Sequence, residues 1–296
     1  MIRWITVLLL TYCLLPLQAA EWVGSDVPGA RIYLHPRDHA LAQDLCAIVR
    51  SELPRVADGL GLGKAGPYPI YAYTSRTEFQ IAAGPRPFLE GVSYQPTGLI
   101  RIDASGPLDA TRHTLAHELT HSALNQKLGS YIDSLPLWVN EGIAGDFSDP
   151  VTPGQFPAVV RIAQRDGVLP VDALTPAFTD PHSVDTAYLQ SRSMVAWLVY
   201  TYPNALPLLT DYLAKGDTFA TALYTATGLT PQTWWEQWQR SIPSYAYWLA
   251  ILSSPVVYAP FAIILAIIAI IRIWQRKKRQ EEPEEEDDEA SEDEAT

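Results

Sequence analysis

Cysteine is nearly absent from this 296-residue chain, which holds Cys13 and Cys46 and no others. No internal disulfide framework can hold the fold, so the core has to come from apolar burial, and Cys46 reads as a small buried hydrophobe. Also missing are a phosphate-binding glycine loop, a serine nucleophile elbow and any internal repeat. The glycines at 59, 61, 63 and 66 lack both a Lys-Ser/Thr pair and the flanking order of a dinucleotide site, and they read as a turn. No basic, aromatic-rich cluster occurs between 21 and 250, so nucleic acid is not an expected partner. Charged residues are absent from Ser241 to Ile271, whereas Met, Pro and Gly are absent from Thr111 to Leu128. The first gap suits a membrane and the second a long helix.

Both ends have a composition unlike that of a folded core. Residues 1–20 carry Arg3, an apolar run from Ile5 to Leu15 and then Pro16-Leu-Gln-Ala-Ala20. This is the pattern of a secretory signal cut after Ala19 or Ala20, with a retained signal anchor as the alternative. Tyr12 before Cys13 is too large for lipoprotein processing. Near the other end, residues 255–274 contain the run Phe261-Ala-Ile-Ile-Leu-Ala-Ile-Ile-Ala-Ile-Ile271, which is expected to span a lipid bilayer as one helix. Arg272, Arg276, Lys277, Lys278 and Arg279 follow it, and a basic cluster in that place puts the C-terminus in the cytoplasm. Residues 21–250 are then expected outside, on a single-pass membrane protein.

The formal charge of −12 is unevenly spread. Residues 281–296 hold eleven acids and no base, so with the five bases just before them the stretch from 272 carries half of the total. Residues 275–296 are therefore expected to form a basic and then acidic tail that stays solvated.

Between the ends, the elements predict an α+β fold in two parts. In 21–110, strands are expected at 31–34, 69–74, 91–94 and 98–103, with helices from about 38 and after Ser75, giving a small mixed sheet. In 111–250, helices are expected over 111–128, 136–147, 156–164, 186–202, 205–214, 217–226 and 231–240, with 167–171 a connector. Trp234, Trp235 and Trp238 on the last of these read as packing residues.

The organising stretch is Thr111-Arg-His-Thr-Leu-Ala-His117-Glu118-Leu-Thr-His121, followed by Leu135-Pro-Leu-Trp-Val-Asn140-Glu141-Gly142. Four residues apart on an amphipathic helix, His117 and His121 share one face and can reach one divalent ion, with Glu118 beside it. His113 lies a further turn back, about 12 Å along the axis from His121, too far for three stacked histidines to share an ion. It is expected in a supporting or surface role.

These two segments together resemble the gluzincin metallopeptidases, and within them the peptidase MA-like domains, with a His-Glu-x-x-His helix and a W-x-N-E-G helix. The resemblance implies a thermolysin-like catalytic domain, a Zn2+ cofactor held by His117, His121 and Glu141, and Glu118 as general base. It implies a Tyr or His donor from the helical part, for which Tyr188 is the best match by position and His182 the second. It also implies that an extended peptide or protein substrate binds the sheet edge beside the metal helix, a place expected for the 98–103 strand, with an internal strand that takes no part in substrate binding as the alternative. Asn140 is expected to brace the site. Better-known gluzincins carry an Asp four residues after the ligating Glu; this chain has Gly145 there and Asp146 next to it. The leading expectation is an anchored, outward-facing zinc peptidase. The alternatives are a catalytically inactive peptide-binding or sensory module that keeps the fold and, third, a structural surface protein.

Overall fold

Alternating apolar residues drive the first part of the chain into strands. The computed structural model describes residues 21–84, 89–149, 168–242 and 255–281. Five strands make one sheet: β1 (Val23–Val27), β2 (Ala30–Leu34), β3 (Tyr68–Tyr73), β4 (Gly91–Tyr94) and β5 (Leu99–Asp103). Their order is β1-β2-β3-β5-β4; β2, β3 and β5 run parallel, and each outer strand is antiparallel to its neighbour. Ile32, Leu34, Ile70, Ala72, Ile100 and Ile102 are buried, the period-two signature of a sheet covered on one face. Each such isoleucine contributes about 1.5–3 kcal/mol of transfer free energy.

The cover is α1 (Ala42–Gly59) and α3 (Leu108–Leu128), which bring Leu45, Val49, Leu53, Leu115 and Leu119 onto the sheet. Cys46 is buried in the same core. A short helix, α2 (Arg76–Ala83), begins where Ser75 accepts from the Glu78 N–H, as its sequence suggests.

The second part is helical: α4 (Leu137–Ser148), α5 (Val171–Ala177), α6 (Val184–Thr201), α7 (Ala205–Ala214), α8 (Phe219–Thr227) and α9 (Pro231–Ser241). Trp234 and Trp238 lie at its centre as packing residues, with their indole N–H groups donating to the Met194 carbonyl and to Ser193 Oγ. α3 belongs to both cores, since its Ala123, Leu124 and Leu128 join the helical one. It is thus a central beam buried on more than one side, rather than the one-sided amphipathic helix that the spacing predicts.

Three local expectations change. The 98–103 strand is not an edge: β5 pairs with β3 on one side and β4 on the other, so the free edge beside α3 belongs to β4. The chain makes a tight turn at Gly98, φ +65°, and folds β4 outside β5. β1, unforeseen in so polar a stretch, forms because the Pro28-Gly29 turn returns the chain onto β2. α5 begins at Val171, the last residue of the expected connector, and occupies a stretch where no helix is expected, being short and carrying Pro176. The helix expected at 156–164, the signal at 1–20 and the acidic residues from 282 on lie outside the described residues.

Residues 255–281 form one helix, α10 (Pro255–Glu281), with exposed side chains at Ile263, Ile264, Ile267, Ile268, Ile270, Ile271 and Ile273. Among the described residues, no helix is long and apolar enough to cross a membrane. The expected span at 255–274 therefore lies on a helix but is not established by it.

Candidate metal centre and active site

One turn of α3 separates His117 from His121, and their Nε2 atoms stand 3.0 Å apart. Glu141, from α4, brings Oε2 to 3.3 Å from His117 Nε2 and 3.7 Å from His121 Nε2. Tetrahedral bonds of about 2.0–2.1 Å to a common zinc would set ligand atoms about 3.4 Å apart. The observed spacings bracket that value. Among the described residues, these three form a group able to hold a metal ion, with ligand atoms within 4.8 Å of one another.

The donor set itself calls for a cation. His121 Nδ1–H donates to Asn140 Oδ1 at 2.9 Å, which leaves the Nε2 lone pair of a neutral ring facing Glu141 and His117. Either a proton or a metal must supply positive charge there. Without a metal a proton does: burial opposes the charged ring, but the hydrogen bond and charge of Glu141 outweigh it and push His121 up to about 9. Burial likewise pushes against the Glu141 carboxylate, yet the hydrogen bonds and charges of the two histidines hold its pKa far below the usual range.

Each residue of the Trp138-Val-Asn-Glu-Gly142 segment has a separate task. Trp138 is buried against Trp234, ring centroids 5.0 Å apart, and fixes α4 in the helical core. Asn140 and Glu141 then face α3. Gly142 lets α6 come close, since a Cβ there would stand 2.7 Å from the Ser191 carbonyl oxygen and 2.8 Å from Val195 Cγ2. The C-terminal end of α4 is held by α1 and α3: Arg55 donates to the Phe147 carbonyl, and His113 Nδ1–H donates to the Ser148 carbonyl at 2.7 Å. His113 is thus no ligand but a clamp between the two metal-facing helices. Arg55 and Arg112 in turn share the buried Glu52.

Glu118 is buried beside the cluster. Burial raises its pKa, His121 and His117 pull it down, and Glu141 raises it again; the net shift is upward. A carboxylate so placed is a stronger base than one in water. Gly91 of β4 lies directly against it: a Cβ at that position would stand 2.7 Å from Glu118 Cγ and 2.8 Å from its Oε1. Further along the strand, the Ser93 and Ser122 hydroxyls meet at 3.0 Å. Asp103 N–H donates to the Glu90 carbonyl at 2.7 Å, so residues 90, 92 and 94 turn their backbone polar groups toward β5. Gly91 and Ser93 turn theirs to the open side, next to α3.

Comparison with known proteins places this arrangement. The family model of the peptidase MA superfamily matches residues 49–244, from α1 through the helical part. The chain belongs to the peptidase MA superfamily. No curated protein matches it.

Within this peptidase MA domain, Tyr188 stands on α6, the helix packed across α4 at Gly142. Its ring meets Phe178 edge-on at 4.8 Å, and the residue as a whole is 44 % exposed. Burial, with the charges of Glu141 and Glu118, pushes the phenol up to about 12. The phenol is therefore a neutral O–H donor within electrostatic reach of both carboxylates. His182 lies in the exposed turn before α6, where its backbone N–H donates to Asp180. Position 145, where the family resemblance would put an acid, is filled instead by the stem of Arg192, whose Cδ lies 3.2 Å from a Cβ built on Gly145 and whose guanidinium bonds Asp149 at 2.7 Å.

Proposed function

We propose that the protein is a zinc-dependent peptidase that hydrolyses peptide bonds in extended chains. The observation that carries this reading is the convergence of His117, His121 and Glu141 at ligand spacing next to a buried Glu118. Zinc bound there would polarise the scissile carbonyl and lower the pKa of a neighbouring water. Glu118 takes the proton of the attacking water on its carboxylate, holds it in a site where burial favours the neutral acid, and returns it to the departing amine nitrogen. Tyr188 donates its O–H to the carbonyl oxygen as charge develops on it. The Gly91 and Ser93 backbone groups on the open edge of β4 pair with the substrate main chain, which aligns it without strong demands on its side chains.

Membrane anchoring belongs to the same proposal. Residues 255–274, with the basic cluster behind them, act as a single-pass anchor that keeps the peptidase domain outside and the acidic tail in the cytoplasm. The support is the uncharged run in the sequence and the exposed isoleucines of α10. Reconstitution into vesicles tests it: α10 should protect its central residues from aqueous thiol labelling at engineered cysteines, and labelling throughout would refute an anchor.

Terminal-group profiling of peptides incubated with the purified full chain, in detergent and with zinc, tests the activity. Wild type should generate new termini, and Glu118→Gln should lower the rate by about 10²–10⁴-fold while retaining zinc. Peptide binding without cleavage by the zinc-loaded wild type would instead support the inactive binding module.

A further inference from the structure

Glu90 immediately precedes the β4 residue whose missing side chain makes room for Glu118. Its side chain turns toward α3, where Thr114 Oγ1 donates to Glu90 Oε2 at 3.3 Å. Thr114 lies one helical turn before Glu118 and also touches Gly91, a Cβ there standing 2.8 Å from its Cγ2. The carboxylate is thus fastened at the end of the open strand edge, one strand residue, about 3.3 Å, from the point of contact with the base. Among the described residues, Glu90 Oε1 takes no hydrogen bond, and the residue is exposed. The arginines of the helices that line the site are already engaged: Arg112 with Glu52, and Arg192 with Asp149.

We propose that Glu90 is a specificity-determining residue that selects substrates carrying a primary ammonium group, a lysine side chain or a free amino terminus, within two residues of the scissile bond. The inference rests on the peptidase reading above. A peptide paired with Gly91 and Ser93 and presenting its carbonyl beside Glu118 passes Glu90 within that distance, because successive residues of an extended chain advance about 3.3 Å. An ammonium there gains a charge-assisted hydrogen bond to the free Oε1. Since Glu90 is exposed, the preference is modest, about fivefold, and falls at high salt.

The test uses the zinc-loaded full chain in detergent. Fluorescein-labelled decapeptides, in which one lysine or, in a second set, one glutamate is moved along an otherwise uncharged sequence, are titrated by anisotropy against Glu118→Gln protein. Each is made with a free and with an acetylated amino terminus, to separate the two sources of ammonium. Wild-type cleavage of the same peptides locates the scissile bond. About fivefold tighter binding is expected when lysine, or the free terminus, falls within two residues of that bond. The preference should vanish in Glu118→Gln/Glu90→Gln and invert toward glutamate-bearing peptides in Glu118→Gln/Glu90→Lys. Both changes fall on an exposed side chain, and zinc content checks that the site is intact. Peptides bound without regard to charge, or a lysine preference that survives Glu90→Gln, would overturn this inference alone. A protein that binds none of the peptides would overturn the peptidase reading and this inference with it.

Discussion

Gly91→Ala is the most incisive perturbation of Glu118, the proposed general base, because it leaves every proposed metal ligand untouched. The new Cβ would stand 2.7 Å from Glu118 Cγ, 2.8 Å from Glu118 Oε1 and 2.8 Å from Thr114 Cγ2. Carbon atoms rest about 3.5–4.0 Å apart, so the strand and the base must separate by about 1 Å. Overpacking of this kind costs about 1–3 kcal/mol of stability. A 1 Å misplacement of a reacting group can cost about 10²-fold in rate. The prediction is therefore a fall of about a hundredfold in kcat on any peptide the wild type cuts, with one zinc per chain retained and a lowered Tm. Steady-state kinetics and metal analysis on the same preparation provide the readout. Full activity in Gly91→Ala would refute the placement of Glu118 against β4, and loss of zinc with activity would show that the strand supports the metal site instead.

Other outcomes follow from single contacts. Asn140→Ala removes the acceptor that orients His121, and zinc affinity measured against a chromophoric chelator should drop about 10–100-fold. Metal-free His121 is protonated up to about pH 9, so calorimetry at pH 7.5 in buffers of different ionisation enthalpy should detect release of about one proton on zinc binding. Its raised pKa also means that the stability it contributes is complete below pH 6.5 and is lost as pH rises through about 9. Metal-free protein should lose Tm across that window more steeply than the zinc-loaded form. Glu52 shifts the other way: burial pushes its pKa up, but the bonds from Arg55 and Arg112 prevail and lower it. Its contribution is present above about pH 4.5 and is lost as pH falls through the depressed value. Glu52→Gln should flatten the acid fall in Tm and cost about 2 kcal/mol at neutral pH, below the about 3–5 of a fully buried pair because both arginines are half exposed.

The metal-facing residues were legible because their spacing is geometric. A helix turns through a little more than a full circle in four residues, so His117 and His121 had to share a face. Glu141 was legible only through the resemblance carried by the Trp138 to Gly142 segment; the packing of Trp138 on Trp234 and the close approach of α6 at Gly142 that bring it to them are visible in the fold alone. The free edge was not legible. β5 precedes α3 in the chain, yet lateral order in a sheet depends on where a hairpin folds, and nothing in residues 91–103 states that β4 lies outside. The contact between Gly91 and Glu118 joins residues distant in sequence and leaves no periodic trace. His113 showed a signal, its place on the histidine face, but its partner is the end of a different helix. α3 also misled, since a helix shared by two cores has apolar residues on several sides and small polar ones among them. Thr120, buried on it, satisfies its hydroxyl at the Ala116 carbonyl.

X-ray absorption at the zinc edge of the loaded full chain addresses the central claim directly. Two imidazole nitrogens and oxygen ligands at about 2.0–2.1 Å are predicted, with the imidazole signal reduced in His117→Ala and an oxygen lost or replaced in Glu141→Ala. A sulfur neighbour at about 2.3 Å, or a spectrum unchanged by both substitutions, would contradict it.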